Sequence, residues 1–277
     1  MSVEEKKVTK FLVSINNIDD IKEYKKVGIT TFLFALKDYS IGYKDYSIEE
    51  INSINEKKYV LINRVLNTKE IDDLKLIISK LNVDGIIFED VGLINVLKEY
   101  KLEKILFINH FNTNSESINC WLEYVDSVVL SNELTFDEYK YIVSKVNKEV
   151  IINIFGYNQI MYSKRKLLSN YNEQFNLDNT YSNEIKDQNS DVKFKILEQN
   201  NETLILSNNI FDGRRLLSLS NIKYYYLNTS LIDTSVVLDF INNKEIKNSD
   251  EGFLDKMSYY KLKGEKKWLN YFLQLEI

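Results

Sequence analysis

The chain alternates between two kinds of apolar pattern. Short, nearly continuous apolar runs fall at Lys10–Asn16, Thr30–Leu36, Tyr59–Arg64, Asp84–Glu89, Lys104–Asn109, Ser127–Ser131 and Glu149–Ile154. Runs of this length, rich in β-branched residues, suit strands buried on both faces of a parallel sheet; a half-exposed strand would alternate with polar residues. Between them lie stretches such as Asn67–Leu81 (NTKEIDDLKLIISKL) and Thr135–Val146 (TFDEYKYIVSKV), with apolar residues at helical spacing and charges opposite. Thr68 and Thr135 stand where N-caps belong. Only Thr135, with Glu138 three residues later, predicts a full capping box.

These runs make seven consecutive strand–helix units at spacings of about 20 to 28 residues. An eighth strand is predicted at Ile222–Asn228 (IKYYYLN), with a helix near Asp233–Asn243. Eight alternating units favour an α/β fold with a single TIM-like (β/α)8 barrel over 1–277. The competing doubly wound sheet lacks its usual mark, since no glycine-rich phosphate loop follows the first strand. The alternation breaks over 155–183, a polar and aromatic excursion. Val192–Leu197 and Thr203–Ser207 then flank Asn200–Asn201, which predicts a β-hairpin. The insertion between strands seven and eight thus covers about 172–220. A tail over 248–277 carries enough aromatic residues to expect it to pack on the body.

Composition narrows the picture. The 44% hydrophobic content supplies a sizeable core, and no apolar stretch is long enough to span a bilayer. The charged N-terminus MSVEEKKVTK runs straight into a strand, so a cytoplasmic location is expected. A single cysteine, Cys120, excludes an internal disulfide framework and a self-contained cysteine-rich metal site; it reads as a buried helix residue. No His-x-x-x-His, Cys-x-x-Cys or EF-hand spacing is present, so no metal site is predicted. A net charge of −5 argues against indiscriminate nucleic-acid binding, while leaving room for a shaped RNA site with a local basic patch. The absence of proline removes one kind of loop signal.

In a β/α barrel, chemistry sits at the C-terminal ends of the strands. Those ends carry Asn16, Asn63, Arg64, Glu89, Asp90, Asn109, His110, Asn132, Glu133, Asn153 and Asn228. Singly, each is explained by strand ends meeting water; together they predict a polar pocket. His110, the only histidine, and the carboxylates Glu89 and Glu133 are the catalytic candidates. The two acids are read as a pair, although Asp90 or Glu133 serves equally as a helix cap. No serine stands in a nucleophile-elbow context. Lys164–Arg165–Lys166, beside Tyr157, Tyr162 and Tyr171, mixes cations with aromatic faces as RNA sites do; a solvated charged face explains so short a run as well. Arg214–Arg215 is a second short basic cluster.

Several segments resemble the collagenase-like peptidases, a family of unknown catalytic type. Glu149–Tyr171 (EVIINIFGYNQIMYSKRKLLSNY) matches the family's strand, glycine and Ser-x-Arg-x-Leu-Leu-Ser-Asn-Tyr run through Gly156, Ser163, Arg165 and Leu167–Tyr171. Val128–Glu138 resembles its strand-then-Glu-Leu-Thr motif, with Glu133 at the acid position; Val83–Asp90, Asn109–Ser115 and the run from Gly252 to Lys261 follow in the family's order. The resemblance implies a β/α barrel and either proteolysis or oxygen-independent hydroxylation, including that of the tRNA wobble uridine with prephenate implicated. Relatives that hydroxylate hold an iron–sulfur cluster on four cysteines. Where the first two belong, this chain has Gln159 and Lys166, which cannot replace thiolates.

No cluster is therefore expected in this chain alone, only in a cysteine-bearing partner, a paralogue of the same family. The resemblance points to a non-cluster component of tRNA wobble-uridine 5-hydroxylation, with tRNA as a further partner and no membrane. Asn63, Arg64, Asn114, Tyr157, Tyr162 and Arg165 become the substrate-binding candidates, with Arg64 and Arg165 holding carboxylate or phosphate. Two other readings compete. One is a peptidase, for which neither an activated nucleophile nor a metal-bound water is evident. The other is a non-catalytic barrel that binds an anion or RNA.

Overall fold

The computed structural model describes residues 10–177, 184–186 and 193–255. Its strands are β1 (Phe11–Ser14), β2 (Thr31–Leu36), β3 (Asp45–Tyr46), β4 (Lys57–Ile62), β5 (Gly85–Phe88), β6 (Glu103–Leu106) and β7 (Ser127–Val128). They continue as β8 (Val150–Ser163), β9 (Glu184–Lys186), β10 (Lys193–Gln199), β11 (Glu202–Asp212), β12 (Ile222–Leu227) and β13 (Ser249–Asp250). The helices among the described residues are α1 (Ile21–Lys26), α2 (Ile48–Ser53), α3 (Thr68–Ile78), α4 (Leu93–Leu97), α5 (Ser115–Leu122), α6 (Phe136–Lys145), α7 (Leu167–Gln174) and α8 (Thr234–Ile241). The result is a mixed α/β fold built on one large sheet. No described helix is long and apolar enough to cross a membrane.

Strands β7, β6, β5, β4, β2, β1, β12 and β8 form one continuous parallel path. The path's ends approach each other at a further parallel bridge, Val129↔Ile151, where the Leu130 N–H donates to the Ile151 carbonyl at 2.9 Å. Burial follows the strand period of two. Leu12, Leu33, Leu61, Ile87, Ile105 and Ile151 fall in one buried cluster, joined by Val129 and Tyr226. Their neighbours Val13, Phe32, Phe34, Val60, Ile62, Ile86, Phe88 and Ile152 fall in a second, which also takes the apolar faces of the helices. Alternate residues thus point to opposite, equally dry faces, the arrangement that the unalternating runs require. At the N-terminal end of the strands, the rings of Tyr59 and Tyr224 meet edge to face at 5.8 Å, and Glu103 accepts from Tyr59 Oη and pairs with Lys223.

Three local expectations change. The strand predicted to end at Ile154 runs on to Ser163 as β8, because its second half finds a different partner: antiparallel β11. The predicted hairpin is present as β10 and β11, with Asn200 and Asn201 both at positive φ (53° and 66°), as a type I′ turn demands. The cap of α3 is Asn67, one residue before Thr68; its side chain accepts from the Glu70 N–H and Glu70 returns the bond, so this helix also has a full capping box. Val192 and most of the aromatic tail beyond Asp255 lie outside the described residues.

The change of partner along β8 turns on Gly156, whose φ is +118°. A Cβ there would lie 2.1 Å from the backbone oxygen of Asn228. Only glycine lets β8 pass this close to the end of β12 and continue beyond the sheet. Gly156→Ala is therefore expected to destabilise the protein by on the order of a few kcal/mol. Thermal unfolding followed by circular dichroism checks this, and an unchanged midpoint would contradict the account.

Candidate functional site

Six of the strand-end residues predicted to converge do so. Asn63, Glu89, Asn109, Asn132, Asn153 and Asn228 line one cavity at the C-terminal ends of the parallel strands. The extension of β8 with β11 forms a two-stranded ribbon that folds across this edge. Leu204 and Leu206 of the ribbon pack on Ile41, with Tyr157, Tyr162 and Leu197 against them, and so roof the cavity. The enclosed volume is about 20 Å³, space for one water molecule.

Glu89 is the group of greatest chemical interest here. It continues from β5, its N–H donating to the Ile62 carbonyl, and protein surrounds its carboxyl on the cavity side. Its carboxyl has no hydrogen-bond partner and no ion pair among the described residues. Burial alone pushes its pKa up to about 8, so it holds its proton at neutral pH. The amides around it are largely committed elsewhere. Asn63 exchanges two hydrogen bonds with the backbone of Ile41, fixing the loop after β2. Asn132 Nδ2 donates to Asn158 Oδ1 at 2.8 Å, while Asn132 Oδ1 is buried with no donor. Asn228 Oδ1 accepts from the Ser230 N–H.

Arg64 does not present itself to a ligand. It is buried, its Nε and Nη2 donate to the two carboxylate oxygens of Glu202 at 3.0 and 3.1 Å, and Nη2 also reaches Glu70 at 3.1 Å. The backbone oxygen of Asp38 takes a further bond from Nη1. Burial works against the guanidinium charge, but Glu202 and Glu70 outweigh it and hold the pKa above its usual value. Arg64 thus clamps the start of β11 to the strand edge. This replaces the anion-binding role expected for it.

The other candidates divide. Tyr157 lines the cavity, with Lys195 Nζ 4.7 Å from its ring centroid. Tyr162 Oη accepts from the Val65 N–H at 3.3 Å and helps seat the ribbon. Asn114 is the N-cap of α5, accepting from the Ser117 N–H, which accounts for it structurally. Arg165 is exposed between two lysines, donating only to the Lys164 carbonyl among the described residues. His110 Nδ1 lies 3.1 Å from Glu133 Oε1 on the open rim. Glu133 does not line the cavity with Glu89, so the expected carboxylate pair is not formed; Glu133 pairs with the histidine instead.

The positions where cluster thiolates were sought are occupied otherwise. Gln159 lines the cavity and Lys166 is the exposed N-cap residue of α7. Cys120 is exposed on α5, which corrects its reading as a buried residue. These side chains do not fit an iron–sulfur cluster. Two site residues had no sequence signal. Tyr43 and Tyr226 come from a loop and a strand far apart in sequence, and their hydroxyls meet at 3.1 Å at the cavity wall. Tyr226 was visible only as one apolar position of a predicted strand.

Comparison with known proteins agrees with this picture. The family model for peptidase family U32 matches residues 44–223, a span that includes Glu89, the ribbon and the start of β12. The tRNA hydroxylation protein P2 of Bacillus subtilis (strain 168) is 24% identical over 224 residues, covering 73% of this chain and 72% of that protein. Among solved structures, the U32 peptidase Mk0906 superposes with a TM-score of 0.52 over 82% of this chain and 95% of its own; at 11% identity the likeness shows the fold alone.

Two outcomes follow from the buried charges. Removing one partner of the Arg64–Glu202 pair, as in Glu202→Ala, leaves a buried charge uncompensated and is expected to cost about 3–5 kcal/mol, whereas the double variant Arg64→Met/Glu202→Leu loses far less. A double-mutant cycle in denaturant measures the difference. Glu89 acts in the opposite sense. Its native pKa of about 8 lies above that of an unfolded glutamate, so stability falls as pH rises from the unfolded value through 8. Glu89→Gln should raise the unfolding midpoint at pH 8 and leave it unchanged at pH 4.

Proposed function

The chain belongs to peptidase family U32, and on that premise we propose that it is a non-cluster component of tRNA wobble-uridine 5-hydroxylation, working in the cytoplasm beside a cysteine-bearing paralogue. The observation that carries this reading is the pairing of a formed cavity with replaced ligands. The strand ends build an enclosed polar pocket, yet Gln159 and Lys166 occupy the positions at which the resemblance places thiolates. A relative whose printed name is a tRNA hydroxylation protein supports the process, and the cluster is assigned to the partner.

The same reading gives the exposed Lys164–Arg165–Lys166 run a task. It stands at the start of α7 beside the ribbon, where cations meet the RNA backbone without entering the cavity. We take the eight parallel strands to close as a TIM-like barrel. The Val129↔Ile151 bridge and the single cluster that draws a residue from every strand support that closure.

A peptidase reading keeps one specific observation in its favour. His110 and Glu133 form an oriented acid–base pair at 3.1 Å on the open rim. Hydrolysis of denatured collagen that disappears in His110→Ala and Glu133→Ala would establish it.

For the proposed function, deletion of the gene is expected to abolish 5-hydroxyuridine-type modification of tRNA measured by mass spectrometry, and re-expression of the wild type to restore it. Replacement of Lys164, Arg165 and Lys166 by alanine should restore it only in part. Modification that persists unchanged in the deletion strain would sink the proposal.

A further inference from the structure

The cavity at the strand ends selects by charge. Its lining contains amides, aromatic rings, leucines and one acid, and it contains no lysine, arginine or histidine. Arg64, the cation nearest in sequence to a lining residue, is spent on Glu202 and Glu70. An organic anion entering here would find no counter-charge and would face Glu89. Burial of an unpaired ion is among the costliest events in a protein interior, so the site rejects such a ligand. What it offers instead is a hydrogen-bonding surface without net charge: a carboxyl free of protein partners, the buried Asn132 Oδ1 with no donor, and the ring of Phe107 beside those of Tyr157 and Tyr226.

We propose that this cavity binds an uncharged planar ring bearing an amide or imide edge, and that Glu89 is the specificity-determining residue that reads that edge. The protonated carboxyl donates to the ligand's carbonyl oxygen and its own carbonyl oxygen accepts from the ligand's N–H, a cyclic pair of hydrogen bonds between neutral partners. Aromatic side chains supply faces for the ring. This goes beyond the tRNA reading and does not depend on it. It also assigns any anionic co-substrate to a place outside this cavity.

Entry requires a wall to move, since the closed volume admits no more than a water molecule. An open groove of about 860 Å³ lies beside the cavity, and the two share Gly42, Tyr43 and Ser230. That wall is held by few contacts: Ser230 Oγ donates to the Gly42 carbonyl, Tyr226 Oη donates to Tyr43 Oη, and the Gly42 N–H reaches Gln199 at 3.4 Å. The ligand enters from the groove past Tyr43.

Proton linkage follows from what faces Glu89. From the loop after β2 comes Tyr43, from β12 Tyr226 and from β8 Tyr157; from the ends of β4, β6 and β7 come only the amides Asn63, Asn109 and Asn132. Burial pushes Tyr43 and Tyr226 upward, so both stay neutral through the range in which Glu89 titrates. Binding therefore weakens as Glu89 ionises, approaching about tenfold per pH unit above about 8.

Benzamide and benzoate, which match in shape and differ in charge, test the proposal by ligand-observed nuclear magnetic resonance on the full chain between pH 6 and pH 9. Benzamide is expected to bind, more tightly at pH 6 than at pH 9, and benzoate to give no signal. Glu89→Gln, which mimics the neutral carboxyl, should keep benzamide binding and lose the pH dependence, with an unchanged circular dichroism spectrum as the control for folding. Tyr43→Ala opens the wall and should strengthen the benzamide signal if the closed form limits it. Benzoate binding as well as benzamide, a pH dependence that survives in Glu89→Gln, or silence from benzamide in both the wild type and Tyr43→Ala would overturn the proposal.

Discussion

A parallel strand covered on both faces has nowhere along its length to keep a polar side chain. That constraint organises the molecule. In β2 all six residues are buried, and in β4 all but the first. Polar groups are therefore swept to the strand ends, where the backbone leaves the ladder. Because the strands run the same way, they deliver those groups to a single edge. The cavity is thus a by-product of packing before it is a functional device, and it forms wherever the ends are polar and something covers them. Here the cover is the β8–β11 ribbon.

The edge handles its two buried charges in opposite ways. Arg64 is neutralised by geometry: two carboxylates and a backbone carbonyl take up its donors, and the price is a ribbon held in one place. Glu89 is neutralised by chemistry, keeping its proton because nothing nearby compensates the ion. The first arrangement fixes the cover, and the second keeps the interior reactive toward hydrogen-bonding partners. A carboxyl left unpaired this deep sits outside the usual rule that buried polar groups find partners, which is why it marks the site more clearly than the exposed histidine does.

Much of this was legible in the sequence, for an identifiable reason. Two-sided burial writes itself as an unbroken apolar run, so all eight parallel strands were visible, and their last residues named six of the cavity's lining groups. The ribbon was not visible. The second half of β8 (Tyr157–Ser163) mixes polar and aromatic residues because it lies beyond the core, and it reads as a loop until β11 is beside it. The Arg64–Glu202 pair spans 138 positions, and no local pattern encodes such a partnership. Asn67 and Thr68 are both competent caps, and only the closing bond from Glu70 decides between them. Tyr43 was missed because a lone tyrosine in a loop carries no periodic signal.

The passage of β8 across Gly156 has an evolutionary corollary. The chain leaves the scaffold at one strand and returns at its hydrogen-bonded neighbour, β12, so the excursion begins and ends at almost the same place. Lengthening such an arm adds little to the entropy of closing it, since that cost grows only with the logarithm of length. The ladder beneath does not register what the arm contains. A lineage can therefore rewrite the cover, trading metal-binding cysteines for glutamine and lysine or altering its hairpins, while the foundation keeps its shape. Descendants of one ancestral scaffold are then free to divide labour between them, each wearing a different arm over the same floor.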